Sequence, residues 1–335
     1  MFAKKNLIAV AALATLAVSA QAQSSVTLYG NLDVAVAHTK NENFVDGSVT
    51  GVESSILTES FFGLKGQEDL GGGLKAIFKL EAPIAVDTGA ANSNLFSKNA
   101  YVGLAGDFGT VKLGNQESLF KTAQAAYNPF GTSVLSPVQT LTGVVGTVGT
   151  VSTLDLTSSW NNTIGYESSN FGGLTFAVQH SARENSTGAY NGGATAASVN
   201  YSAGALGLSA VYGDVRSTTN APAAVAERNR TWLLGASYDF GVVKAFAQYG
   251  QDKLESIDDK VKVWQIGAIV PVTAAGGVHA SYGQAKLDDT KAKQFSLAYH
   301  HSLSKRTSAY AGLAVIDADA DENQTTVAVG VRHAF

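Results

Sequence analysis

The chain has 335 residues, with no cysteine, 5 prolines, 35 glycines and only 15% charged residues. The missing cysteine excludes a disulfide scaffold, a thiol nucleophile and metal sites built on thiolates. A net charge of −4 argues against nucleic acid as a partner.

Lys4 and Lys5 precede an apolar run from Leu7 to Val18, and Ala20-Gln21-Ala22 follows with small residues at its first and third places. This is the layout of a secretory signal peptide, expected over residues 1–22. The run is shorter than the ~20 apolar residues of a membrane-spanning helix. Without Lys4 and Lys5, 21 basic residues face 27 acidic ones, a net charge of −6 for residues 23–335.

From there the chain alternates with a period of two. Val26, Leu28, Leu32, Val34 and Val36 share one parity, while Thr27, Tyr29, Asn31 and Asp33 share the other. Such alternation marks strands whose two faces meet different surroundings. Strands are predicted near 24–38, 55–66, 73–82, 98–105, 109–116, 160–167, 173–181, 195–203, 206–215, 229–239, 241–251, 261–270, 277–285, 291–301, 306–316 and 324–335. A short helix is compatible with 117–127. Tight connections such as Gly106-Asp107-Phe108-Gly109 and Tyr238-Asp239-Phe240-Gly241 carry turn residues. They alternate with longer polar ones, including 39–54, 117–159 and 216–228.

An open meander of about sixteen strands would leave two exposed edges, which closure removes. In lipid, closure is also the way strands satisfy every backbone group. The expected fold is all-β: a transmembrane antiparallel up-and-down barrel with short turns at one end and long loops at the other. Tyr29, Phe61, Phe62, Tyr101, Trp160, Tyr166, Tyr238, Trp264 and Tyr310 lie near strand ends and would suit interfacial girdles.

Several segments carry a family resemblance. They are Ser24-Ser25-Val26-Thr27-Leu28-Tyr29-Gly30, Phe62-Gly63-Leu64-Lys65-Gly66, Glu68-Asp69-Leu70-Gly71-Gly72-Gly73, Ala100-Tyr101-Val102-Gly103-Leu104, Phe108-Gly109-Thr110-Val111-Lys112-Leu113-Gly114 and Gly330-Val331-Arg332-His333-Ala334-Phe335. With these the chain resembles the general-diffusion porins of Gram-negative bacteria, of the betaproteobacterial trimeric type. The resemblance implies a homotrimer in the cell outer membrane, in contact with its lipid and lipopolysaccharide. It implies passive diffusion of small hydrophilic solutes and ions, with no enzyme activity and no cofactor. It also implies that the long connection 117–159 folds into the barrel and narrows it. Gly131, Gly143, Gly146 and Gly149 would let its backbone approach the wall.

The chain departs from its relatives where they usually carry arginine, at Phe61 and at Asn115. Lys98 holds a third commonly basic position. The pore and constriction candidates are Asp33, Phe61, Lys65, Lys98, Asn115, Glu117, Asp155 and Arg332. With two basic positions lost and six excess acids, weak selectivity leaning to cations is expected. Compensating charge from Lys65, Lys244 or Arg332 would oppose that.

Other constellations are weaker. The histidines show no metal-ligand spacing. His180-Ser181 and His300 with Ser302 are the local hints of a barrel-embedded hydrolase. A substrate-specific channel and a surface adhesin are further alternatives. Asp317, Asp319 and Asp321 look like the start of a calcium loop but lack its glycine and final glutamate.

Overall fold

The computed structural model describes residues 25–41, 44–91, 94–146, 159–182, 193–218, 226–255, 258–319 and 323–335. Its strands are β1 (Ser25–Asn41), β2 (Ser48–Ser54), β3 (Phe61–Gly71), β4 (Leu74–Pro83), β5 (Asn99–Gly106), β6 (Gly109–Glu117), β7 (Ser159–Glu167), β8 (Leu174–Ser181), β9 (Ala194–Ala203), β10 (Leu206–Thr218), β11 (Ala226–Asp239), β12 (Lys244–Leu254), β13 (Asp259–Pro271), β14 (Gly276–Leu287), β15 (Thr290–Ser302), β16 (Thr307–Ala318) and β17 (Gln324–Ala334). Each pairs antiparallel with its neighbours in one sheet, and β17 pairs back onto β1. Gly30 and Phe335 exchange both backbone hydrogen bonds at 3.1 Å and seal the seam. No described helix is long and apolar enough to cross a membrane.

The seventeen strands occupy sixteen barrel positions, because β2 and β3 share one. β2 pairs with the loop-end half of β1, and β3 pairs with its turn-end half. The sequence reading placed one strand across 55–66. Residues 55–60 instead leave the ladder and turn inward, carrying Ile56 and Leu57 into a buried cluster. Asp33 organises this break. Its carboxylate accepts hydrogen bonds from the backbone N–H of Leu57 at 2.8 Å and of Thr58 at 2.5 Å, and from the Tyr310 hydroxyl at 2.6 Å. Its own N–H donates to Ser60 Oγ at 2.9 Å. Asp33→Ala would leave two inward N–H groups unpaired, at about 1–3 kcal/mol each. The expected result is a lower apparent melting temperature in detergent and noisier single-channel currents. Wild-type values for both would overturn this assignment.

Alternation sorts the two faces as expected. Val26, Val102, Ile164 and Val329 stand exposed on the outside, while Ala35, Gln294 and Ser296 point in and are buried. Exposed apolar rows are what lipid covers. The expected girdle splits, however. Tyr29, Phe61, Tyr101, Trp160 and Tyr310 share the inward parity, and Trp160 is fully buried inside. Tyr238 and Trp264 share the outward one. Aromatic residues favour strands on either face, so position near a strand end did not distinguish them.

The connection after β6 folds into the lumen and packs on its wall. Its described residues hold two helices, α1 (Leu119–Ala126) and α2 (Pro137–Gly146). Ser118 caps α1 by accepting the Lys121 N–H at 3.1 Å. The buried apolar clusters therefore lie between this loop and the inner wall. Leu119 and Phe120 pack with Trp160 and Val211, Phe130 and Leu135 with Ala35 and Tyr310, and Val138 with Val261.

Candidate functional site

The loop is held by two sets of wall residues. The first is a series of inward glycines. A Cβ on Gly213 would meet the Phe120 ring at 2.6 Å, one on Gly235 the Tyr127 ring at 2.7 Å, one on Gly267 Pro129 at 2.6 Å, and one on Gly283 Pro137 at 2.7 Å. These absent side chains are the sockets into which the loop's bulky groups fit. The second set is glutamine. Gln179 Oε1 accepts the Leu119 N–H at 3.1 Å and Gln265 Oε1 that of Val138 at 3.0 Å. Gln248 Nε2 and Gln294 Nε2 donate to the carbonyls of Gln124 and Val134, each at 2.9 Å. Backbone groups that would be orphaned inside the barrel are thus satisfied by its wall.

Opposite this anchored side lies a compact ring of charge. Lys98 Nζ stands 2.6 Å from Glu59 Oε2 and 2.7 Å from Glu117 Oε1. Lys121, on α1, reaches the same two carboxylates at 3.2 and 3.1 Å. Three devices bring the four groups together. The inward turn at 55–60 delivers Glu59. The first turn of α1 delivers Lys121. A bulge between Gly114 and Gln116 re-aims the end of β6 and brings in Glu117. Gly114 has φ +136°, and a Cβ there would collide with the Ala100 carbonyl, so only glycine fits.

A third carboxylate, Glu81, is buried behind the ring. It takes the Tyr29 hydroxyl at 2.6 Å, Asn99 Nδ2 at 2.5 Å and Lys79 at 3.0 Å. Asn99 also donates to Glu117 at 3.2 Å and links the two clusters. At Glu59, between β2 and β3, burial works against ionisation. The ammonium groups of Lys121 and Lys98 outweigh it and hold the carboxyl below the ordinary glutamate value. At Lys98, just before β5, burial opposes the charge. Glu59 and Glu117 overcome it and raise the ammonium above the ordinary lysine value.

The residues singled out from sequence fall in several places. Lys98 and Glu117 are in the ring, and the Phe61 face lies 5.3 Å from the Lys98 ammonium. Asn115 donates to the carbonyls of Phe96 and Ser97, at 3.2 and 2.9 Å, and so shapes the chain before Lys98. Lys65 lies over the Tyr29 ring at 4.6 Å, nearer the turns. Arg332 Nε donates to Asn31 at 2.6 Å and lines a cavity of about 350 Å³ with Phe61, Lys98, His279 and His300. Asp33 is a buried brace of the strand break and does not touch the ring. Asp155 lies outside the described residues. Glu59, Lys121 and Glu81 were missed. Glu59 sat inside a span read as plain strand, and Lys121 on a helix read as optional.

The remaining constellations do not assemble. His180 bonds Thr195 on the outer face, whereas Ser181 is buried on the inner one. Asp317 pairs with Lys293 at 3.8 Å, and Asp319 accepts the Lys291 N–H at 3.0 Å. Asp321 lies outside the described residues. Among the described residues no group of three or more carboxylates and histidines is placed to hold a metal.

The family described as Gram-negative porin matches residues 9–321. Outer membrane porin protein 32 of Delftia acidovorans is 36% identical, over 99% of this chain and all of the relative. An outer membrane porin protein of Bordetella pertussis is 29% identical over the same shares. The solved structure of an anion-selective porin from Comamonas acidovorans superposes with a TM-score of 0.82. It is 32% identical and covers 93% of this chain and 100% of that one. With its closed barrel, inward-folded loop and these relatives, the chain belongs to the Gram-negative porin family of the outer membrane.

Proposed function

We propose that the protein is a passive channel: water fills the barrel, and small hydrophilic solutes and ions cross it down their gradients. The carrying observation is the polar ring of Glu59, Lys98, Glu117 and Lys121, flanked by open cavities of about 350 and 560 Å³. These four residues, with Phe61 and the inward-folded loop, form the constriction. Residues 1–22 are the export signal. Copies assemble as a homotrimer, for which Val26, Leu28, Val102, Leu104, Val329 and Val331 on the outer faces of β1, β5 and β17 supply an aliphatic surface.

The selectivity reading changes sign. The net charge of −6 suggested cations, but much of it sits in loops and turns outside the constriction. Inside, each ring or near-ring glutamate has a lysine partner: Glu59 and Glu117 with Lys98 and Lys121, Glu81 with Lys79, and Glu167 with Lys112. Lys65 and Arg332 face the same lumen with no carboxylate partner among the described residues. These charges are positive and partly exposed to the lumen, whereas the inward Asp33 carboxylate is fully buried behind its hydrogen bonds, so the pore leans weakly to anions. The anion selectivity of the similar Comamonas porin supports that direction. In a planar bilayer under a potassium chloride gradient, the reversal potential should carry the sign of chloride preference, and Arg332→Gln should bring it toward zero. Potassium preference in the wild type would overturn this reading.

A further inference from the structure

The outer face of β11–β15 carries an ordered ladder. An aromatic row, Trp232, Tyr249, Trp264, Tyr282 and Phe295, crosses these strands, with Trp232–Tyr249 and Trp264–Tyr282 ring centroids 5.2 and 5.6 Å apart. Toward the long-loop end, outward positions two to four residues beyond this row are basic: Arg230, Lys253, Lys262, Lys286, Lys291 and Lys293, with Gln251 and Gln284 between. Val261, Val263, Ala285, Leu287 and Ala292 are buried inward against the lumen loop. By alternation, their neighbours Lys262, Lys286 and Lys291 point outward.

These three lysines stand directly opposite one another on adjacent strands: Lys262 pairs with Lys286, and Lys286 with Lys291. Directly opposite side chains lie about 5 Å apart, and like charges there destabilise a sheet. The flanking cations are neutralised. Arg230 reaches Glu255 at 3.2 Å, Lys253 reaches Asp258 at 3.1 Å and Lys293 reaches Asp317 at 3.8 Å. The triad has no carboxylate within 4 Å among the described residues. The carboxylate beside it, Asp319, takes the Lys291 backbone N–H. Asp288 and Asp289 occupy the turn above.

A row of uncompensated like charge on a lipid-facing wall calls for an external anion. Its height selects the source. The triad stands two to four residues above the aromatic row, roughly 7–13 Å along the strands. Aromatic belts mark the membrane–water boundary, and long loops mark the outer side. We propose that Lys262, Lys286 and Lys291 bind the phosphate groups of a phosphorylated glycolipid of the outer leaflet. The aromatic row then packs against its acyl chains. The contact is directly ionic and needs no bridging divalent cation. This site is independent of the lumen and of the selectivity proposed above.

The test uses the full-length barrel in neutral detergent, titrated with purified lipopolysaccharide, the same glycolipid after phosphate removal, phosphatidylcholine vesicles or inorganic phosphate. Lipopolysaccharide should raise the melting temperature, in chelator as well, and the other three should not. K262Q/K286Q/K291Q should weaken lipopolysaccharide binding at least tenfold, leave conductance unchanged and melt higher than wild type in plain detergent, because the repulsion is gone. K286Q alone should show an intermediate effect should the triple variant fail to fold. Equal binding by variant and wild type, equal binding of the dephosphorylated lipid, a full response to inorganic phosphate or loss of binding in chelator would each overturn the proposal.

Discussion

Replacing both Glu59 and Glu117 with glutamine should turn a weakly selective pore into one that strongly prefers anions. The substitutions keep the shape of the ring but leave Lys98 and Lys121 uncompensated at its narrowest charged point. One unit charge at 4 Å in water-like surroundings is worth about 1 kcal/mol. The chloride-to-potassium permeability ratio should therefore rise roughly fivefold or more. K98Q/K121Q should move it the other way. Acid should imitate the first variant. The Glu59 carboxyl is held below its ordinary value, so its contribution is complete above about pH 4.3 and is lost only as pH falls through the depressed value. Lys98 is raised, so its contribution persists below the ordinary lysine value and fades only as pH climbs past the raised one. The anion shift should thus appear only in the acid limb, below the usual glutamate range. Reversal potentials unchanged by E59Q/E117Q, or a shift already complete near neutrality, would remove the ring from the selectivity mechanism.

Filling the wall sockets should alter the pore without touching its charges. Gly235→Leu under Tyr127 and Gly283→Leu under Pro137 place side chains where the loop now sits. Overpacking costs about 1–3 kcal/mol, and the loop yields before the continuous strand ladder does. It is displaced toward the Lys98 side, so single-channel conductance should fall by about half or more while the barrel remains folded by heat-shift electrophoresis. Ala247→Leu, on the outer face of β12, should leave conductance as it was. Wild-type conductance in both glycine variants would mean that the sockets do not position the loop.

The barrel was legible because its cause is local. Period-two alternation places Leu28 outside and Tyr29 inside whatever the rest of the chain does, and turn residues such as Gly71-Gly72-Gly73 announce the hairpins. The break at 55–60 was not legible. Nothing nearby in sequence says that Asp33 will capture the backbone of Leu57 and Thr58. The ring was half legible. Lys98 and Glu117 came through the family resemblance, but Glu59 depends on that break, and Lys121 on where α1 enters the lumen. The glycines were assigned to hairpins and to the loop, whereas Gly213, Gly235, Gly267 and Gly283 serve the wall. Their shared inward parity was visible in the sequence, but its meaning required knowing what lay opposite.

The anchoring of the loop also carries a kinetic consequence. Its hydrogen-bond partners lie far downstream: Gln248 is 124 residues beyond Gln124, and Gln294 is 160 beyond Val134. Pairings so distant in the chain form late, after the entropy of closing such long segments has been met. The aperture is thus made late, together with the still more distant β1–β17 seam. A barrel caught before its final strands join would have a wall but no calibrated opening. Faults in late strands such as β15 should therefore appear first as leakiness to larger solutes, before they appear as loss of the barrel.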